Sequence, residues 1–356
     1  MTIRRLTPAW PGAPLALVSA ALFGASTPFA KLLLGNGVDP FLLAALLYLG
    51  SGLGLAAVHL GRRVLGIASP EAPLRRRDLP RLALVVLSGG VLGPSLLMLG
   101  LARTEASTAA LLLNLEGLAT MLIAWLAFRE NVDRRLLLGA LAILGGAALL
   151  SWQGGPGGIG WGALLVASAC LAWGIDNNLT RTLSASDPVE IASIKGVVAG
   201  GTNFGLALIH GASLPGLGIT TGAAAIGFLG YGVSLVLFIL ALRHLGTART
   251  SAYYATGPFL GAALAIVMFG DPITVRLLLA ALLMAVGLYL HLAERHEHEH
   301  AHAAMEHEHR HVHDEHHRHA HGPGDPAGEP HVHLHVHAPV VHRHPHYPDS
   351  HHRHPH

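Results

Sequence analysis

Ten long apolar runs, separated by short basic or turn-rich segments, dictate most of what this 356-residue chain can become. They fall at roughly 13 to 34, 41 to 60, 81 to 102, 106 to 128, 135 to 152, 159 to 181, 188 to 210, 220 to 242, 248 to 269 and 273 to 293. Most are near 20 residues, which at about 1.5 Å of helix rise per residue crosses the roughly 30 Å hydrocarbon core of a bilayer. A helix at the surface of a soluble core keeps a polar face, whereas these runs are apolar on every side. Only 12% of the chain is charged, about half the content of an ordinary soluble protein. The first run is too long for the apolar core of a cleavable leader and continues through Pro28 to Lys31, so it reads as a retained span.

Beyond the runs the material changes. Residues 1–294 hold 18 Lys+Arg, 12 Asp+Glu and 4 His, whereas 295–356 hold 5, 9 and 23. The tail has too few large apolar residues to offset the entropy of ordering it, and is expected to be disordered. The single cysteine, Cys170, lies inside an apolar run, so no internal disulfide forms.

Several boundaries carry helix-start chemistry. Asp39-Pro40, Asp187-Pro188 and Asp271-Pro272 each place a capping carboxylate before a proline at the first helical position. Asp187 with Glu190 also fits a capping box. Basic residues set the orientation. With a cytoplasmic amino terminus, Arg4, Arg5, Arg62, Arg63, Arg75, Arg76, Arg77, Arg81, Arg129, Arg134, Arg135, Arg181, Arg243 and Arg249 lie inside, against Lys31, Arg103 and Arg276 outside. Ten spans return the carboxyl tail to the cytoplasm, and the expected location is the cell (inner) membrane.

The chain also repeats itself. Phe23-Gly24 and Lys31 align with Trp173-Gly174 and Arg181, Asp39-Pro40 with Asp187-Pro188, Gly54-Leu55-Ala56 and His59 with Gly205-Leu206-Ala207 and His210, Arg103 with Arg243, and Gly117 with Gly257. Five spans per unit is an odd number, so the second unit lies upside down relative to the first, as in secondary transporters. The expected fold is an all-α membrane protein of ten transmembrane helices in two inverted five-helix repeats. The domains are a cytoplasmic N-terminus (1–12), first repeat (13–152), second repeat (159–293) and disordered His-rich cytoplasmic tail (294–356).

These features resemble the EamA family of the drug/metabolite transporter superfamily: the Phe-Gly or Trp-Gly of each first span, the basic residue closing it, and the ends Arg129-Glu130 and Gly270-Asp271. The resemblance covers about residues 13 to 293. It implies a ten-helix carrier of small metabolites with a central cavity built mainly from spans 3, 4, 8 and 9 and parts of 1 and 6. The chain departs from the family at Glu116, near where many relatives carry a helix-bending proline, as Pro258 does in the ninth span.

Ionisable groups inside spans are the sharpest chemical clues, because a charge near the bilayer centre costs at least about 2.5–3.5 kcal/mol. Glu116 sits mid-span with Asn114 two residues before it, and Thr256 takes the matching place in span 9. Glu116 is expected to line the cavity and to hold a cationic or hydrogen-bonding substrate group, or a proton. The alternative is a protonated Glu bonded to a neighbouring helix. Asp176 and Lys195 lie at similar depths on spans 6 and 7 and suit a buried ion pair, gating or static. Asn177 and Asn178 complete that cluster, and Trp173 lies deep enough to face the cavity. Lys31 is expected to snorkel at the outer face. Trp10, Trp152, Trp161, Tyr253 and Tyr254 read as interfacial belt residues, and His59 and His210 as interfacial caps.

The tail alternates, as in His296-Glu297-His298-Glu299-His300 and His331-Val332-His333-Leu334-His335-Val336-His337. His296, His298, His300, His331, His333, His335 and His337 suit Zn²⁺, Ni²⁺, Co²⁺ or Cu²⁺, with no spacing that defines one fixed site. No cofactor is required by the spans. The leading function is a secondary active permease moving a small organic metabolite by alternating access, with protons as coupling ion and the tail buffering or sensing divalent metal. The alternative is a divalent transition-metal transporter whose tail collects or senses its cargo, against which the spans carry no His cluster. An enzyme is disfavoured because no HExxH, nucleophile elbow or phosphate loop is present. The expected partners are the lipid bilayer, a small-molecule substrate and metal, and not nucleic acid, since the tail has no Lys and is net negative with His neutral.

Overall fold

Proline, glycine and carboxylate side chains set where the helices begin and end. The computed structural model describes residues 12–66, 74–128, 134–152, 160–183, 186–292, 296–302, 305–311, 331–337 and 340–346. The helices are α1 (Gly12–Gly35), α2 (Pro40–Val64), α3 (Leu79–Val85), α4 (Gly93–Leu101), α5 (Ala106–Leu112), α6 (Leu115–Phe128), α7 (Arg134–Ser151), α8 (Trp161–Arg181), α9 (Pro188–Ile209), α10 (Leu217–Gly227), α11 (Ser234–Tyr254), α12 (Gly257–Phe269) and α13 (Val275–Leu292). Two π-helical segments join neighbours without a break, Val86–Leu92 between α3 and α4, and Phe228–Val233 between α10 and α11.

Seven helices or continuous helix pairs among the described residues are long and apolar enough to cross a membrane, and Gly257–Phe269 and Val275–Leu290 are shorter apolar helices. The expected sixth span, α8, is long enough, but Asp176, Asn177 and Asn178 dilute its hydropathy. The segment expected to turn between spans 8 and 9 is helical instead, since α11 continues to Tyr254.

The Asp-Pro starts divide. Asp39 caps α2 by accepting the N–H groups of Phe41 (2.9 Å) and Leu42 (3.0 Å). Asp187 caps α9 through Val189 (2.8 Å) and Glu190 (3.4 Å). Glu190 does not fold back as a capping box requires; its Oε2 accepts the Leu74 N–H at 3.0 Å, tying the start of α9 to the approach to α3. Asp271 caps no helix of its own. Residues 270–274 are not helical, Thr274 caps α13 by accepting the Leu277 N–H at 3.1 Å, and Asp271 accepts the Ser107 N–H at 2.9 Å across at the start of α5. The reason is Gly270, whose positive φ of 65° ends α12 in a left-handed turn and swings Asp271 towards α5.

Packing is reciprocal between the halves. α2 lies against α9 and α7 against α13, while α1 packs on α11 and α12 and α8 packs on α4 and α6. In lipid there is no hydrophobic drive between apolar helices, so close backbone approach does the work. At the α1–α12 crossing a Cβ on Gly257 would lie 2.6 Å from the Ala20 carbonyl, and one on Gly261 2.5 Å from that of Gly24, so only glycine fits. The outward surface is greasy, with Val267 82% and Leu126 68% exposed, as a lipid-facing wall requires.

The tail contains four described strands where disorder is expected. β1 (His296–His302) pairs antiparallel with β4 (Val340–His346), and β2 (Met305–His311) with β3 (His331–His337). The residue alternation that suggests metal ligands is also the two-residue period of a strand. Pro345 sits near the end of β4, which borders only one neighbour, where its missing N–H is tolerated.

Candidate functional site: a polar cavity between broken helices

The site is built where regular helix fails. A π segment shifts the hydrogen-bond ladder and leaves carbonyls for other donors. In Val86–Leu92 the Gly89 carbonyl accepts both the Tyr48 hydroxyl (2.7 Å) and the Trp173 indole N–H (2.9 Å). The Gly90 carbonyl accepts the Asn203 amide at 3.1 Å, and Asn203 Oδ1 accepts the Ser95 hydroxyl at 2.9 Å. Helices α2, α8 and α9 are thereby all fastened to one point of the third span. Breaks at 113–114, between α5 and α6, and at 255–256, between α11 and α12, open the chain at matching places in the two halves.

Glu116 stands in the first turn of α6, just after the first of these breaks. The Asn177 amide donates to Glu116 Oε1 at 2.9 Å and to Thr120 Oγ1 at 3.2 Å, and Thr120 Oγ1 donates back to the Glu116 carbonyl at 2.9 Å. One residue earlier on α8, Asp176 forms an ion pair with Lys195 at 2.5 Å and accepts the Thr180 hydroxyl at 3.1 Å. Both ions are 4% exposed. Lys195 therefore neutralises Asp176, and Glu116 is held by a neutral amide. A Cβ on Gly89 would strike the Asp176 carboxylate, so glycine lets the π segment pass beside the pair.

Two adjoining chambers meet at Glu116. Phe23, Asn177, Phe238 and Tyr254 line both. The larger adds Tyr48, Trp173, Asp176, Lys195, Tyr231 and Ser234, and the smaller adds Asn114 and Pro258. The rings pack on one another: Phe23 stacks on Tyr254 at 5.4 Å and meets Trp173 and Tyr231 edge-on at 5.7 Å each. The Tyr231 hydroxyl is buried with no hydrogen-bond partner among the described residues. A carboxylate amid π faces is an environment for an ammonium group with an apolar body.

Glu116, Asn114, Asp176, Asn177, Lys195 and Trp173 all border these chambers. Asn178 is spent on structure, its amide donating to the Thr120 carbonyl (3.0 Å) and the Gly174 carbonyl (2.9 Å). The Thr256 hydroxyl donates to the Tyr253 carbonyl at 2.7 Å, and its neighbours Ala255 and Pro258, rather than Thr256, line the smaller chamber. Asn114 donates to the Leu111 carbonyl at 2.9 Å, closing the helix break. Lys31, near the end of α1, donates its ammonium to the Leu101 (2.7 Å) and Thr104 (2.8 Å) carbonyls, capping the end of α4. Tyr254, expected in the interfacial belt, lines the cavity because its helix ends at that depth, whereas Trp152 and Trp161 are exposed. Trp10 and Arg129-Glu130 lie outside the described residues, as do the side chains of His296, His298, His300, His331, His333, His335 and His337. Sequence reasoning missed Phe23, Tyr48, Tyr231 and Phe238 as cavity residues.

The sequence profile of the EamA-like transporter family matches residues 10–152 and 160–293. An "Uncharacterized transporter" of Methanothermobacter thermautotrophicus is 27% identical over 292 residues, covering 78% of this chain and 84% of the relative. A "Probable terminal-alkyne amino-acid exporter" of Streptantibioticus cattleyicolor is 26% identical over 229 residues, 62% of this chain and 76% of the relative. A solved crystal structure shares the fold with a TM-score of 0.59 at 20% identity, over 78% of this chain and 95% of its own. Two profile matches, one to each half of the helical region, embrace the broken helices and the cavity between them, and the chain belongs to the EamA-like transporter family.

Proposed function

We propose that this chain is a secondary active permease for a small organic metabolite bearing an amino group, working by alternating access between two inverted five-span repeats. The observation that carries the reading is Glu116: a carboxylate with a neutral amide partner, at the meeting point of two ring-lined chambers. An ammonium group and a proton compete for the same carboxylate, which couples cargo movement to a proton gradient. The exporter name of the Streptantibioticus cattleyicolor relative supports an amino-acid-like cargo and outward movement. The basic-residue distribution supports ten spans, cytoplasmic termini and a cell-membrane location. On this reading the His-rich tail buffers or senses a divalent metal such as Zn²⁺, Ni²⁺, Co²⁺ or Cu²⁺.

Proteoliposomes screened with labelled amino acids and amines, with and without a pH gradient, test the reading. At least one of these cargoes moves in a gradient-dependent way, and Glu116→Gln slows it at least tenfold while abolishing the pH dependence. An unchanged rate and pH dependence in Glu116→Gln removes the carboxylate from the mechanism.

A further inference from the structure

Five arginines gather at the end of the bundle where α2 finishes and α3 starts. Arg62 and Arg63 close α2, Arg76 and Arg77 belong to the 3₁₀ turn before α3, and Arg81 lies in the first turn of α3. All five are exposed, and among the described residues none of them forms an ion pair. The described acids near them are engaged with the backbone: Asp78 accepts the Arg75 N–H, Asp187 that of Val189 and Glu190 that of Leu74.

Helix polarity accounts for only two of the five. Arg62 and Arg63 complement the negative end of α2, whereas Arg76, Arg77 and Arg81 crowd the positive end of α3, whose first turn holds no acid. The start of α7 repeats the pattern, with Arg134 and Arg135 exposed and again no acid in the first turn. Cations gathered against the local dipole, with no carboxylate from the described chain, call for an anion from outside it.

The neighbouring side chains say which anion. Residues three, four and seven apart share a helix face. Arg134 thus heads a stripe of Leu137, Leu138 and Leu141, Arg81 stands three residues before Leu84, and Arg63 stands three after Leu60; each of these leucines is at least half exposed. Such leucines belong to the wall that faces acyl chains. The guanidinium groups therefore lie about one helical turn, roughly 5 Å, beyond that wall, and their stems reach further still. A phosphate anchored above acyl chains sits at that depth, and a guanidinium holds phosphate bidentately.

We propose that this end of the bundle is a docking surface for anionic phospholipid headgroups, the arginines holding lipid phosphate while the acyl chains lie along the leucines. The inference needs only that the chain lies in a bilayer, and it is independent of the cargo and of Glu116.

The test equilibrates the full chain in detergent, near pH 7.5, with equimolar phosphatidylglycerol and phosphatidylcholine. The lipid retained through gel filtration is then quantified by mass spectrometry. In micelles the direction of membrane insertion does not enter. Phosphatidylglycerol is expected to be enriched about fivefold, the gain from one basic contact, and raising salt from about 0.05 M to 0.5 M abolishes the enrichment. Arg62→Gln, Arg63→Gln, Arg76→Gln, Arg77→Gln and Arg81→Gln together remove most of it, whereas Lys at the same five positions keeps it. Enrichment equal in the Gln set and the wild type overturns the surface, as does a wild type with no preference. Should the Gln set fail to fold, enrichment on the wild type that is indifferent to salt overturns it alone. Displacement of the lipid by millimolar glycerol phosphate makes a soluble phosphate ester the ligand and overturns the lipid assignment.

Discussion

Lys195 and Asp176 illustrate how much one buried partner matters. Removing the cation by Lys195→Met strands a carboxylate that is almost wholly buried, a change that costs about 3–5 kcal/mol. We expect Lys195→Met to lose most folded protein in detergent, and the exchange of Asp176→Lys with Lys195→Asp to recover both folding and transport, as a static pair requires. A folded but inactive exchange variant would instead make the pair a moving part of the cycle. Both residues, like Glu116, are visible in the sequence because an ionisable group within an apolar run must be explained. Tyr48, Tyr231, Phe23 and Phe238 are not, because a ring in an apolar run has the same signature whether it packs against lipid, a neighbour or a substrate. Only the fold distinguishes them, by placing all four rings around the cavity.

Helix ends were partly legible for the same reason. Asp39 and Asp187 cap their own helices because proline follows them directly within the first turn. Asp271 carries the same two-residue pattern, yet Gly270 turns it to α5, so the pattern alone cannot reveal its target. Asp271→Ala should therefore loosen α5 rather than α13. The expected loss is about 1 kcal/mol, or roughly 2–4 °C in the thermal unfolding of a chain of 150–250 residues and less in a longer one, with faster amide exchange at Ser107. Gly89-Gly90 and Gly230 with Gly232 read in the sequence as packing and bending positions, but the π register of their segments does not. Both are rich in glycine and small residues, but so is nearly every span here, and no composition rule marks where the ladder shifts register.

The two-part organisation of the protein was the most accessible feature, because an ordered set of Gly, Asp-Pro and basic matches survives sliding the chain against itself. Transport and metal response should separate at a different boundary, between the helical region and the tail. A chain ending at residue 295 is expected to keep its cargo flux within about twofold and lose its high-affinity zinc binding, measured in the same vesicles; lost flux of metal itself would favour the metal-carrier alternative. The reciprocal packing of α1 on α11 and α12, and of α8 on α4 and α6, explains how the two halves close one interior. The paired π segments extend that correspondence into history. A π turn holds more residues than the α turn it interrupts, so it is the trace left when a helix absorbs an inserted residue. The same trace at the same station in both halves is most simply inherited once, by a single ancestral unit that already carried the insertion before its gene was copied and joined to itself.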